Sequence, residues 1–106
     1  MTSPSFDSDG YPTEDTLQTI AIWDHAHGLP EWLDYCRDSW HPDGKVTPKL
    51  VREFGNPVNC LSFVTGGWSG NESVISAMQQ NTVLWSLTWY SSKRGGLHMF
   101  EVRGFN

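Results

Sequence analysis

The stretch Cys60-Leu61-Ser62-Phe63-Val64-Thr65-Gly66-Gly67-Trp68-Ser69-Gly70-Asn71-Glu72-Ser73-Val74-Ile75-Ser76-Ala77-Met78-Gln79-Gln80 decides the fold. Its first five residues form a short apolar run bounded by a glycine-rich turn, the pattern of a buried strand. Its last eight place Val74, Ile75, Ala77 and Met78 on one stripe at helical spacing. A strand, a glycine turn and a helix start therefore follow one another. Such a junction aims backbone N–H groups and the positive end of a helix dipole at one point, which suits an anion. Ser69-Gly70-Asn71-Glu72 also fits the S-x-x-E capping box, with Ser69 as cap and Glu72 reaching back.

Downstream, Asn81 reads as a left-handed helix cap. Thr82 to Tyr90 alternates, with Val83, Trp85, Leu87 and Trp89 on one face and Leu84, Ser86, Thr88 and Tyr90 on the other, which predicts a strand. Ser91-Ser92-Lys93-Arg94-Gly95-Gly96 predicts a hairpin loop, and Leu97 to Val102 the returning strand. Upstream, Thr13 is a fair N-cap for a helix with Glu14 and Asp15 in its first turn. Leu17, Ile20, Ala21 and Trp23 form its apolar stripe, and Gly28 its stop. Pro30 opens a second helix carrying Trp32, Leu33, Cys36 and Trp40, ended by the turn His41-Pro42-Asp43-Gly44. Thr47-Pro48 predicts a short third helix through Leu50, Val51 and Phe54, closed by Gly55-Asn56-Pro57. The expected fold is α+β: N-terminal helices, then a β-α-β-β unit. Its sheet is small, three-stranded and mostly antiparallel, with the helices packed on one face. Residues 1–11, rich in Pro, Ser, Gly and Asp, are expected to be a flexible segment, and 12–106 a single domain.

The charge is unevenly spread. Residues 1–59 hold ten acidic against four basic side chains, a net of −6; residues 60–106 hold two against three, a net of +1. An acidic half argues against general nucleic-acid binding, which needs a basic face. No apolar run approaches the roughly 20 residues of a membrane span, and the first residues lack the pattern of a signal peptide. Cys36 and Cys60 have no CxxC spacing and read as two buried thiols in a reducing cytoplasm.

The run Thr65-Gly66-Gly67-Trp68-Ser69-Gly70-Asn71-Glu72, then Ala77, Asn81, Trp85 and Trp89, then Ser91 to His98, then Phe100-Glu101, resembles a group of small proteins encoded by tailed phages and prophages. The resemblance covers about the last 45 residues well and the two N-terminal helices loosely. It implies a phage or prophage origin and a place in the cytoplasm of the infected bacterial host. It implies no particular chemistry.

The residues themselves point to four chemistries of unequal strength. The first is a pocket for a nucleotide-like, phosphate-bearing ligand held without turnover. Gly66, Gly67, Ser69, Gly70 and Asn71 would hold the anion, Lys93 and Arg94 neutralise it, Ser92 and His98 donate, and Trp68 or Trp89 stack a base. Against it, no Gly-Lys-Ser/Thr follows the glycines and Glu72 would repel an anion set too close. The second is hydrolysis. Gly67-Trp68-Ser69-Gly70-Asn71 departs from G-x-S-x-G at Asn71, and on one strand His98 and Glu101 point to opposite faces. The third is a metal site at His25 and His27, which two-residue spacing on a helix sets on different faces. The fourth is direct inhibition of a host defence protein through the tryptophans and the acidic half. Five of the six tryptophans sit at patterned core positions, leaving Trp68 as the strongest single functional candidate. Binding without turnover, with no metal or cofactor and with a possible homo-oligomer, is the expectation, as a counter-defence ligand sponge or as a direct protein inhibitor.

Overall fold

The sheet is built on β2 (Asn56–Val64), whose second half, Cys60 to Val64, is the buried apolar strand expected above. The computed structural model describes residues 3–24, 28–41 and 44–102. Helices α1 (Glu14–Ile22) and α2 (Leu29–Asp38) come first, then β1 (Lys45–Glu53), β2, α3 (Ser69–Gln80), α4 (Thr82–Thr88), β3 (Trp89–Lys93) and β4 (Leu97–Glu101). The class is α+β, with a sheet of four strands in the order β1-β2-β4-β3, every neighbouring pair antiparallel.

The expected three-stranded sheet has a fourth strand and the expected β-α-β-β order is β-β-α-α-β-β, because two segments take another form than their pattern predicts. The predicted third helix over 47–54 is the strand β1. Its Pro48 cannot donate a ladder hydrogen bond, yet β1 is an edge strand where that donor is not needed. Residues 54–55 are a two-residue hairpin turn, with φ of +51° at Phe54 and +82° at Gly55 between the paired Glu53 and Asn56. Positive φ at both central residues is the type I′ signature, which normally takes Asn-Gly. The predicted strand over 82–90 is mostly the helix α4, with β3 starting only at Trp89. Leu84 and Thr88, one helical turn apart, are fully buried, and the Thr88 hydroxyl donates to the Leu84 carbonyl at 2.7 Å. Asn81 decides the matter. It is not left-handed (φ −85°) but caps α4, its side-chain oxygen accepting from the Leu84 N–H at 3.3 Å. Its side-chain nitrogen donates to the Ile20 and Trp23 carbonyls at 3.1 and 3.0 Å. A tertiary tie to the end of α1 thus overrides a short alternating pattern.

The sheet residues of the core lie on one face by register: Leu61 opposite Phe100, and Val46 and His98 flanking Phe63. Edge-on ring contacts run along the face, from Trp40 just past α2 to Phe63 at 5.1 Å, from Phe63 to Phe100 at 5.3 Å and from Phe100 to Trp85 of α4 at 5.3 Å. The buried stripe of α3, Val74, Ile75, Ala77 and Met78, is as expected. Each buried indole N–H in α2 and just beyond finds a carbonyl, Trp32 that of Ile20 at 3.0 Å and Trp40 that of Val64 at 2.9 Å. α1 ends at Ile22, and Gly28 stands not as its stop but as the residue before α2.

Only Cys60–Val64 of β2 pairs with β4. The rest of the β1–β2 hairpin, Leu50 to Asn59, continues as a two-stranded finger carrying the turn at its tip.

Candidate functional site

Two loops meet at one end of the sheet. Val64 and Leu97 form the last rung between β2 and β4, and past it the Thr65 N–H donates to the Gly96 carbonyl at 3.0 Å. The contact is close enough that a methyl group on Gly96 would overlap the Thr65 side chain, and Gly96 also has φ +81°. The glycine turn after β2 and the Arg94-Gly95-Gly96 turn are therefore neighbours, as the anion-pocket reading requires. Ser91, Ser92 and Lys93 belong to β3 rather than to the loop.

Most of the first loop is used to hold the fold together. Trp68, not Ser69, occupies the cap position of α3, with no side-chain cap bond, so the expected capping box is absent. The Ser69 hydroxyl instead shares a hydrogen bond with the Tyr11 hydroxyl at 3.2 Å. Asn71 is fully buried; its side chain donates to the Thr65 carbonyl at 3.1 Å and accepts from the His41 N–H at 2.7 Å. The Trp68 ring packs on Gly70 and lies against the rings of His41, at 4.0 Å between centroids, and Tyr11, at 4.6 Å. It is half-buried, and both rings lie tilted against it, His41 by 31° and Tyr11 by 37°. The N-terminal segment is drawn in by the same bracket. The Ser5 N–H donates to the Thr16 hydroxyl at 2.8 Å, and Asp7 accepts from the Asp9 and Tyr11 N–H groups at 2.9 Å each. Gly66 and Gly67 remain exposed.

The second cluster is open to solvent. Trp89 is 46% exposed and lies nearly parallel to Trp85, 15° between planes and 6.2 Å between centroids. Its indole N–H donates to the Ser92 oxygen at 2.8 Å, and that oxygen lies 2.8 Å from His98 Nδ1. Burial pushes the His98 pKa below the ordinary imidazole value, opposed by the Glu72 carboxylate. The imidazole is therefore neutral at pH 7, able to donate through one nitrogen and accept through the other. Lys93 and Arg94 are exposed and make no ion pair among the described residues. Register separates the cations. Ser92 pairs with His98 and Lys93 with Leu97, so Lys93 leaves the sheet on the face opposite Ser92 and His98. Of the expected ligand-binding residues, Trp89, Ser92 and His98 thus form one group and Arg94 with Gly66 and Gly67 sits at the adjoining turns. Trp68, Ser69, Gly70 and Asn71 form the bracket.

The finger is what sequence reasoning missed. Phe54 at its tip is 98% exposed and Leu50 on its shaft 56% exposed. A bulky side chain in the left-handed region is a genuine outlier, costing of order 1–3 kcal/mol. The signal was present as Phe54-Gly55 between two nine-residue stretches with two valines each, but it lacks the asparagine that marks such turns. Tyr11 and His41, which hold Trp68, carried no sequence signal.

His25 and His27, the candidate metal ligands, lie outside the described residues; among the described residues no group of three or more His, Cys, Asp or Glu could hold a metal ion. Cys36 and Cys60 are both free and buried. Among the described residues no helix is long and apolar enough to cross a membrane. The chain matches no known family model, no curated protein and no solved structure.

Proposed function

We propose that this chain acts by occupancy on a protein partner, its β1–β2 finger placing Phe54 in an apolar cleft of a host protein. In the setting implied by the phage-like motif, that partner is a host defence protein and the effect is direct inhibition. The observation that carries the reading is Phe54 itself, almost fully exposed in a backbone conformation that disfavours its side chain. The molecule gains nothing from that residue internally, and Asn would serve the turn better. Central aromatic anchors are what binding hot spots are made of. The bracketed state of Trp68 also favours this reading over the ligand sponge, since the strongest stacking candidate already packs against the rings of Tyr11 and His41.

A photoreactive phenylalanine analogue tests it. Placed at position 54 it yields a discrete adduct with one host protein in a bacterial lysate. Placed at Phe6, which is 43% exposed, it does not. Equal adducts at both positions, or none at 54, sink the reading.

A second reading is supported by the Trp89–Ser92–His98 group. An exposed indole stacked on Trp85, with Arg94 and the exposed glycines nearby, is suited to a flat base and a phosphate, held without turnover. Glu72 beside His98 weighs against a strongly anionic ligand. Here a melting-temperature screen with mono-, di- and cyclic nucleotides decides. A shift seen in the wild type and lost in Trp89→Ala supports it, and no shift removes it.

A further inference from the structure

The core face of the sheet runs on past the helices that cover it. By register Pro48 lies beside Leu61 and Leu50 beside Asn59, on the face that carries Phe63 further along. Val102, whose N–H donates to the Asn59 carbonyl, continues that face beyond Phe100. α2 ends at Asp38, and at the root of the finger Pro48, Leu50, Leu61 and Val102 line a pocket of ≈ 460 Å³ together with Arg37 from the last turn of α2. That volume is within the range of pockets that bury a small ligand. Lys49 and Cys60 border it too, but alternation turns their side chains to the other face, so Arg37 is its one charged side chain. In a chain of net charge −5, no carboxylate lines this pocket among the described residues. Arg37 meets Asp34 through one nitrogen at 2.9 Å, an exposed pair of the kind that holds weakly. The rest of its fork of donors matches a carboxylate.

We infer that this pocket binds a small amphipathic anion, an alkyl chain of medium length ending in one carboxylate. The chain covers Pro48, Leu50 and Val102, which the fold leaves without a covering helix, and the carboxylate meets the Arg37 guanidinium. Asn59, on the same face, supplies a second donor. The guanidinium is charged at every working pH, so affinity stays level wherever the ligand is ionised, and salt weakens it. The site lies at the root of the finger and uses no residue of its tip, so it stands apart from the partner reading of Phe54.

Calorimetric titration and thermal melting of the purified chain test this with three probes of one chain length: octanoate, octanol and octyltrimethylammonium, all kept below micelle formation. Octanoate is expected to bind at one site. At ten times its dissociation constant it raises the melting temperature by about 5 °C. Octanol binds at least about tenfold more weakly and the cation more weakly still, since only the anion gains the charge-assisted bond. Arg37→Gln keeps much of the stem and removes the charge; it is expected to bring octanoate down to the affinity of octanol and to leave octanol unchanged. Leu50→Trp fills the pocket from a position 56% exposed and weakens both. Val83→Ser, which removes apolar surface on α4 that is 52% exposed, leaves all three affinities as they were. Octanoate that neither binds nor stabilises overturns the inference. So does equal binding of the three probes, an Arg37→Gln protein that still prefers octanoate, or a Val83→Ser protein that loses it. None of these results touches the host-protein reading, which the position-54 adduct decides separately.

Discussion

Phe54 and His98 are the two residues whose chemistry departs most from what the fold needs of them. Phe54 occupies a left-handed position where Asn is preferred, so Phe54→Asn relieves strain of order 1 kcal/mol. In a domain of this size that raises the melting temperature by about 4–8 °C, measured by calorimetry; a fall in melting temperature contradicts the strained-turn account. His98 is held below the usual imidazole pKa by burial. Above a pH of about 6.5 it is neutral in both the folded and unfolded chain and adds no pH dependence. As the pH falls through that value the unfolded chain takes up the proton first, so stability drops and then levels once the folded imidazole also protonates. His98→Gln removes this part of the acid-side loss, read as the difference between two stability-versus-pH curves. If the curves superimpose, the imidazole is not displaced.

Asn81 shows how one side chain sets the identity of an element. Asn81→Ala removes the α4 cap and leaves the Ile20 and Trp23 carbonyls without that donor. The loss is expected to be about 2 kcal/mol or more, measured by urea unfolding; a change within about 0.5 kcal/mol, ordinary for a surface position, contradicts it. The same residue explains what was legible at this scale. The helices α1, α2 and α3 and the strand β4 followed from periodicity, because each buries its own stripe against the core, and of the expected caps Thr13 alone stands where it was placed. α4 did not, because a seven-residue segment containing Leu84, Trp85 and Leu87 satisfies both periods, and the deciding bonds reach 58 and 61 residues back along the chain. β1 did not, because Pro48 and the Gly55-Asn56-Pro57 run look like helix punctuation until the strand is known to be an edge. The expected meeting of the two glycine turns was legible, since a β2–β4 pairing brings them to one end. The bracket around Trp68 was not, because Tyr11 and His41 come from segments with no periodic signal.

At the scale of the whole molecule, the shape and the placement of apolar surface carry the functional argument. The extents are 46 × 32 × 21 Å, and the finger contributes roughly 15 Å of strand beyond the last rung shared with β4. The thiols take no part in it. Cys36 is fully buried and Cys60 is 2% exposed, and burial raises the pKa of both, with Glu101 and then Glu53 adding to the effect at Cys60. Neither is expected to react with a thiol reagent at pH 8 until the chain unfolds, and fast labelling of the native protein contradicts that burial. The central claim is that Phe54 is kept for a partner and not for the fold. Its most direct measurement is the affinity of the wild type and of Phe54→Asn for the host protein cross-linked at position 54. The account predicts that the substituted protein, though at least as stable, binds at least about 30-fold more weakly, the loss of a hot spot of about 2 kcal/mol. Equal affinity of the two proteins contradicts it.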